Sequence, residues 1–337
     1  MDSKCPETWS DFQRELDTED SLLEYLRSLR WPNWPKGFAC PKCRGSKAWT
    51  NKRSRLVCSA CRHQTTVTAG TIFHRTHLSL LDWCRVAWVV ANEPDGISAA
   101  ELQQLSCLSR FETALACLRK LRCAMTTPFK DDGLKGTVMA AVGSVAVLGG
   151  REQLHAVHVV IAAETSPRGI LRIRVARLAV ANSELLRQFI VKAVEPHSEI
   201  YADGWEALEG AEHDSWARAL QPLNYKFMGM SGRRLAQVRT VLYGLYSCLQ
   251  GTHRRPASLA DLDTCLAEYA FHYNLRRATS PGARFQRLME QAVQTKRTDQ
   301  VETAEEHATH PAEQAAGGHA ETAPTSQCPA SPDAHQA

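Results

Sequence analysis

Four cysteines in two Cys-x-x-Cys pairs, Cys40-Pro41-Lys42-Cys43 and Cys58-Ser59-Ala60-Cys61, are the residues whose types and spacing most directly imply chemistry. Each pair bends the backbone so that two thiolates point at one metal ion. Two pairs complete a tetrahedral shell, so a structural Zn²⁺ is expected on Cys40, Cys43, Cys58 and Cys61. The competing readings are four unrelated buried cysteines or two disulfides. Such paired spacing is hard to obtain by chance, and the polar start Met1-Asp2-Ser3-Lys4-Cys5 does not read as an export signal, which argues for reduced thiols.

The charge around the cysteines points to a partner. No Asp or Glu occurs between Glu24 and Asp82, while Arg27, Arg30, Lys36, Lys42, Arg44, Lys47, Lys52, Arg53, Arg55, Arg62 and Arg75 lie in that interval. Trp31, Trp34, Phe38, Trp49 and Phe73 are interleaved with them. A field of one sign on a metal-held scaffold is the footprint expected for phosphate backbones. A merely solvated basic face is the alternative, and it leaves the exclusion of acids unexplained. The net charge of +4 over 337 residues hides this asymmetry. No apolar run approaches the ~20 residues of a membrane span, so the expected setting is cytoplasmic and nucleoid-associated, with double-stranded DNA as partner and no membrane.

The elements that position these residues follow from periodicity. Residues 1–35 form an N-terminal helical segment: Phe12, Leu16, Leu22, Leu23, Tyr25, Leu26 and Leu29 recur at helical spacing from Glu7 to Arg30, and Pro32 and Pro35 end it. Residues 36–76 form the ribbon, with strands at 48–50 and 55–57 about a turn at 52–54 and a β-prone run from Gln64 to Phe73. Residues 77–128 carry an apolar helix from Leu78 to Asn92 and two further helices. Ser98 with Glu101 and Ser109 with Glu112 read as capping boxes for that pair. A short helix, a turn and a second helix bearing Arg119, Lys120 and Arg122 predict a helix-turn-helix-like DNA-binding region.

From residue 134 to 294 the pattern predicts a mixed α/β domain. Strands are expected at 137–142, 154–161, 171–177 and 199–202, with a turn at 167–169, a helix capped by Asn182, and helices at 233–250 and 259–276. Residues 295–337 have almost no large apolar side chain and read as a disordered tail. The fold class is therefore α+β and multidomain.

These residues resemble insertion-sequence transposases that join an N-terminal zinc ribbon to an RNase H-like DDE domain. The resemblance is carried by Arg30-Trp31-Pro32, the two cysteine pairs, Thr68-Ala69-Gly70-Thr71-Ile72-Phe73-His74, Thr76-His77-Leu78, Gly96-Ile97-Ser98-Ala99, Lys120-Leu121-Arg122, Asp203-Gly204-Trp205 and Gly251-Thr252-His253. It runs from about Asp17 to Val293. It implies insertion-sequence ends as the DNA, a homo-oligomer when assembled there, and DNA transposition through two Mg²⁺ ions held by three acids.

Of those acids only Asp203 is present. The first position falls near Ala141 when counted from Gly136, or near Ser144 when counted back from Gly149-Gly150, and no acid occurs from Gly133 to Arg151. The third falls near Arg239, and the span from Ser215 to Ala260 offers no acid but does offer Arg233, Arg234 and Arg239 as DNA contacts. One carboxylate does not hold two Mg²⁺ ions. Three expectations follow: a DNA-binding transposase relative without strand-transfer chemistry, a zinc-dependent DNA-binding regulator or accessory factor derived from one, or an active enzyme with ligands relocated to Glu152, Glu164 or Asp214.

Overall fold

Thr8 and Thr18 each accept a hydrogen bond from the backbone N–H three residues on, and these caps split the N-terminal apolar run into α1 (Trp9–Glu15) and α2 (Glu19–Arg30). The single helical segment expected there is thus two helices, because Thr18 caps α2 and Leu16 closes α1. The computed structural model describes residues 6–106, 108–126, 133–148, 154–179, 183–203, 226–227, 232–251 and 258–295. The tail expected from 296 onward, the Asn182 cap, Gly204-Trp205 and Thr252-His253 lie outside the described residues.

Three short strands, β1 (Ala48–Thr50), β2 (Leu56–Cys58) and β3 (Gln64–Thr65), make the antiparallel ribbon sheet in that order. Only Gln64 and Thr65 of the β-prone run pair as a strand. Beyond them the chain turns repeatedly, and Arg30 holds this loop by donating to the carbonyls of Thr66, Val67 and Ala69.

Helices α3 (Leu80–Asn92), α4 (Ala99–Leu105) and α5 (Phe111–Met125) follow. The Ser98–Glu101 capping box forms as expected. The second box does not: Arg110 is the N-cap of α5, without a side-chain cap, and Ser109 lies one residue too early. The Ser109 carbonyl instead accepts from Gln103 Nε2 at 3.3 Å.

One apolar core joins the ribbon and these helices. Leu56, Cys58, Ile72 and Phe73 share it with Phe12, Leu22, Leu26, Trp83 and Trp88. A helix that periodicity reading missed, Pro281–Gln294, closes it through Phe285, Leu288, Met289 and Ala292. Its start is packed tightly, since a Cβ on Gly282 would stand 1.6 Å from the Pro6 carbonyl oxygen.

The larger sheet contains β4 (Thr137–Leu148), β5 (Leu154–Ser166), β6 (Gly169–Leu178), β7 (Glu199–Asp203) and β8 (Lys226–Phe227), in the order β6-β5-β4-β7-β8. β4, β5 and β6 are antiparallel neighbours. The chain then crosses through α6 (Ser183–Ala193) to place β7 parallel to β4. Gly169, at φ 108°, makes the β5–β6 turn that its sequence announces.

The alternation of β4 is apolar on both faces. Val138 and Ala140 meet Leu186 and Ile190 of α6, while Met139, Ala141 and Val145 belong with α7 (Gly232–Gln250) and α8 (Leu259–Leu275). The helix Pro281–Gln294 is α9. A mixed sheet flanked by helices, as expected, is what these residues form.

Polar side chains tie α8 to the sheet on one side and to the helical part on the other. Arg177 on edge strand β6 makes a paired contact with Asp263 of α8 at 3.0 and 2.9 Å. Arg122 of α5 reaches Glu268 of α8 at 2.8 Å. His272, one turn on, is 7 % exposed. Burial first, then the charges of Arg284 and Arg122, push its pKa down to about 4.

A buried histidine of this kind makes stability pH-dependent. The folded value lies below the ordinary 6.5, so between the two the unfolded chain binds the proton and the folded chain does not. The stabilisation is complete above pH 6.5 and is lost as pH falls toward 4. From pH 6.5 to 5, wild type should lose about 2 kcal/mol that a His272→Gln variant keeps. Urea unfolding of both proteins across that range measures the difference, and a constant difference would mean that the imidazole does not titrate on unfolding.

Candidate metal centre and nucleic-acid interface

The two cysteine pairs fold into the same local structure. The N–H of Arg44 donates to the Cys40 carbonyl at 2.9 Å, and the N–H of Arg62 to the Cys58 carbonyl at 3.0 Å. The N–H of Cys40 reaches the Gly45 carbonyl at 3.0 Å, and that of Cys58 the His63 carbonyl at 2.9 Å. In each turn the residue after the second cysteine has a left-handed backbone, φ 59° at Arg44 and 61° at Arg62. Glycine is the residue that adopts this conformation freely, so each arginine costs about 1 kcal/mol of backbone energy.

All four sulfurs lie within 4.8 Å of one another. Cys40 and Cys61 Sγ are 3.7 Å apart, and Cys43 and Cys58 Sγ are 3.6 Å apart. A tetrahedron with Zn–S bonds of about 2.3 Å has edges of about 3.8 Å, whereas a disulfide would need about 2.0 Å. The spacing fits one zinc and excludes the disulfide reading.

The backbone is arranged for thiolates. The N–H groups of Cys61 and Ala60 bring Cys58 down to about 7, and those of Cys43 and Lys42 lower Cys40. At Cys43 the Gly45 N–H also favours the thiolate, but the neighbouring thiols Cys61 and Cys58 push it up to about 12. Four sulfurs this close do not all shed their protons without a cation between them, and Zn²⁺ supplies that charge. Among the described residues this is the one group of three or more His, Cys, Asp or Glu side chains with ligand atoms so close.

Around the centre, Lys42, Arg44, Lys47, Lys52, Arg53, Arg55, Arg62 and Arg75 are all exposed. Arg27 and Arg30 are not part of that surface. Arg27 is 6 % exposed and pairs with Glu24, and Arg30 is spent on loop carbonyls.

The cations of α5 divide in the same way. Arg119 is exposed, and Lys120 Nζ sits 5.8 Å from the Trp83 ring centroid. Arg122 is turned inward, with its side chain 12 % exposed, on Glu268 and on the Ile97 carbonyl. Its expected place among the DNA contacts is therefore corrected: the guanidinium is a tie between α5, α8 and the turn before α4. Sequence reading could not see this, because Glu268 is 146 residues away.

In the large sheet, Ala141 of β4 is the register partner of Asp203 of β7. Ala141 is 2 % exposed and belongs to the core under α7. Ser144 faces the other side of β4 and pairs through its hydroxyl with His158 Nδ1 at 3.2 Å. Arg239 is exposed on α7, which carries no acidic residue in its first turn or beyond. Arg233 and Arg234 open that helix, and their side chains, like that of Asp203, lie outside the described residues.

Close approach of α7 depends on Gly143, where a Cβ would stand 2.7 Å from Leu242 Cδ2. Of the three relocated-ligand candidates, Glu164 is engaged by Arg172 at 2.6 Å, while Glu152 and Asp214 lie outside the described residues.

Residues 17–64 match the family model of the transposase zinc-ribbon domain. The match begins at the cap of α2 and ends on β3, so it spans the helix that carries the ribbon as well as all four cysteines. No curated protein sequence matches the chain. Among the described residues no helix is long and apolar enough to cross a membrane.

Proposed function

We propose that this chain is a transposase-family protein that binds double-stranded DNA, at insertion-sequence ends, through its zinc ribbon and helix-turn-helix-like region, and that it has lost strand-transfer activity. The observation that carries the reading is a ribbon matching a transposase domain whose eight named cations all face solvent with no acid from residue 25 to 81.

An RNase H-like reading of the large sheet draws support from one register. Its opening strand and later strand run parallel with Ala141 opposite Asp203. That is where the first two acids of a two-metal centre would have to meet. Here one position is an alanine in an apolar core, and α7 offers Arg239 rather than a third acid. The residues present do not fit a pair of Mg²⁺ ions. A DNA-binding protein without that step also accommodates the regulator reading.

The left-handed arginines give a test that folding losses cannot imitate. Arg44→Gly with Arg62→Gly removes two exposed charges at positions where glycine relieves the backbone. The double variant should be at least as stable as wild type. Its duplex affinity should fall roughly tenfold, with log affinity against log salt shallower by about 1.8. Unchanged affinity and slope would remove the ribbon from the DNA interface. Alongside, wild type with Mg²⁺ or Mn²⁺ should yield no strand-transfer product; product that disappears in Asp203→Ala would restore the active reading.

A further inference from the structure

The ribbon sheet has an outer face that lies outside the shared core, on which Val57 is 4 % exposed and Trp49 stands in solvent. Leu56 and Cys58 of β2 point into the shared core, and Val57 between them does not belong to it. By the alternation of a strand, Val57 faces the other way. Its register partners on that outer face are Trp49 of β1 and Gln64 of β3. Trp49 is 48 % exposed, a large apolar area for a residue in the middle of a paired strand. It makes no ring contact with any aromatic among the described residues. Trp9, by comparison, stacks on Phe12 at 4.9 Å.

Cations surround this indole. The ladder extends one pair beyond the strands at each end, through Ser59 N–H to the Lys47 carbonyl and Asn51 N–H to the Arg55 carbonyl, both at 2.9 Å. Lys47 and Arg55 therefore share the outer face with Trp49 and Val57, two residues before each along its strand. Lys52 and Arg53 cap the hairpin, and all four are exposed. No carboxylate from residues 25–81 competes for them.

We infer that the outer face of the ribbon sheet, centred on Trp49 with Lys47 and Arg55 beside it, is a stacking platform for an unpaired nucleobase of a bound DNA strand. The inference rests on the DNA-binding reading and adds to it the form of the DNA. Phosphates alone require cations and give no reason to hold an indole in water. A flat aromatic ring amid cations matches a nucleotide, whose base offers a π-face and whose phosphate offers charge. Bases inside a duplex already stack on both faces, so the partner is a base that has left the helix, at a strand end or in an opened segment.

Full-length wild type, Trp49→Ala and Trp49→Phe are titrated with three probes: a short dT strand, an abasic strand of equal length, and a blunt duplex. Zinc content verifies the folded ribbon in each. Trp49→Ala should weaken dT binding by about tenfold or more, Trp49→Phe should retain most of it, and the abasic strand should bind all three proteins alike. Equal dT affinity in wild type and Trp49→Ala would overturn the platform, leaving Trp49 as a cover for Val57. Equal losses on the dT and abasic strands would overturn it too, since the ring would then act through the fold. Salt-sensitive binding of wild type to the duplex and abasic strand keeps the parent reading standing in either case. Its absence on every probe would sink both.

Discussion

Cys58→Ser should abolish stoichiometric zinc and, with it, nearly all affinity for duplex DNA. Cys58 is fully buried, lies on the central ribbon strand, and belongs to the same core as Leu56, Trp31 and Trp83. Structural zinc contributes on the order of 10–16 kcal/mol in small cysteine sites, which rivals the ~5–15 kcal/mol that holds a whole domain. Losing one of four thiolates therefore removes a large share of the energy that keeps Leu56, Val67 and Phe73 seated against α2 and α3.

A chelator should act on wild type in the same way, and added Zn²⁺ should restore binding. Cys84 and Cys117 provide the control. Burial pushes their thiols up to about 12 and about 11, they lie in helices, and Cys84→Ala should leave one zinc per chain. Metal analysis and a DNA titration on the same samples decide the matter. A Cys58→Ser protein that keeps both zinc and DNA would show that the four sulfurs are not a functional site.

The metal centre was legible because its information is local. Four cysteines within 22 residues of sequence, Cys40 to Cys61, specify two turns whose hydrogen bonds close over six residues each. Ser98 with Glu101 was legible for the same reason. Local signals misled where two neighbouring residues competed: Ser109 and Arg110 both precede α5, and only the position of the first helical residue decides which is the cap. Helix α9 was missed although Ser280 caps it and Pro281 opens it, because the five residues between it and α8 leave little room for a break that periodicity alone reveals. Nothing near Arg122 in sequence distinguishes it from Arg119. Which cation meets solvent is set by α8 packing on α5, a contact between elements separated by the whole sheet. The pairing of β7 with β4 is likewise a crossover through α6, and it alone separates Ala141 from Ser144 as the partner of Asp203.

Arg122→Met should destabilise the protein by about 3–5 kcal/mol, the ordinary cost of stranding one member of a buried ion pair. Glu268 is 1 % exposed, and burial already raises its pKa while Arg122 pulls it down. Without the guanidinium the carboxylate has lost its counter-charge and takes up a proton on folding. The sign of the pH effect follows. A carboxyl whose folded pKa is raised stabilises the fold at low pH and loses that contribution as pH rises through the folded value, so Arg122→Met should regain part of its deficit when pH drops from 7 toward 5.

Arg122→Met with Glu268→Leu should recover most of the deficit at pH 7, because no charge is left buried. The recovery will not be complete, since the Arg122 guanidinium also donates to the Ile97 carbonyl at 2.8 Å and fixes the turn that leads into the Ser98 cap of α4. Denaturant unfolding of the four proteins of this cycle, at pH 7 and pH 5, isolates the pair from that second bond. A single-variant loss below about 1 kcal/mol would place the pair among those that contribute little. The junction between the helical part and the sheet would then rest on the packing of α5 against α8.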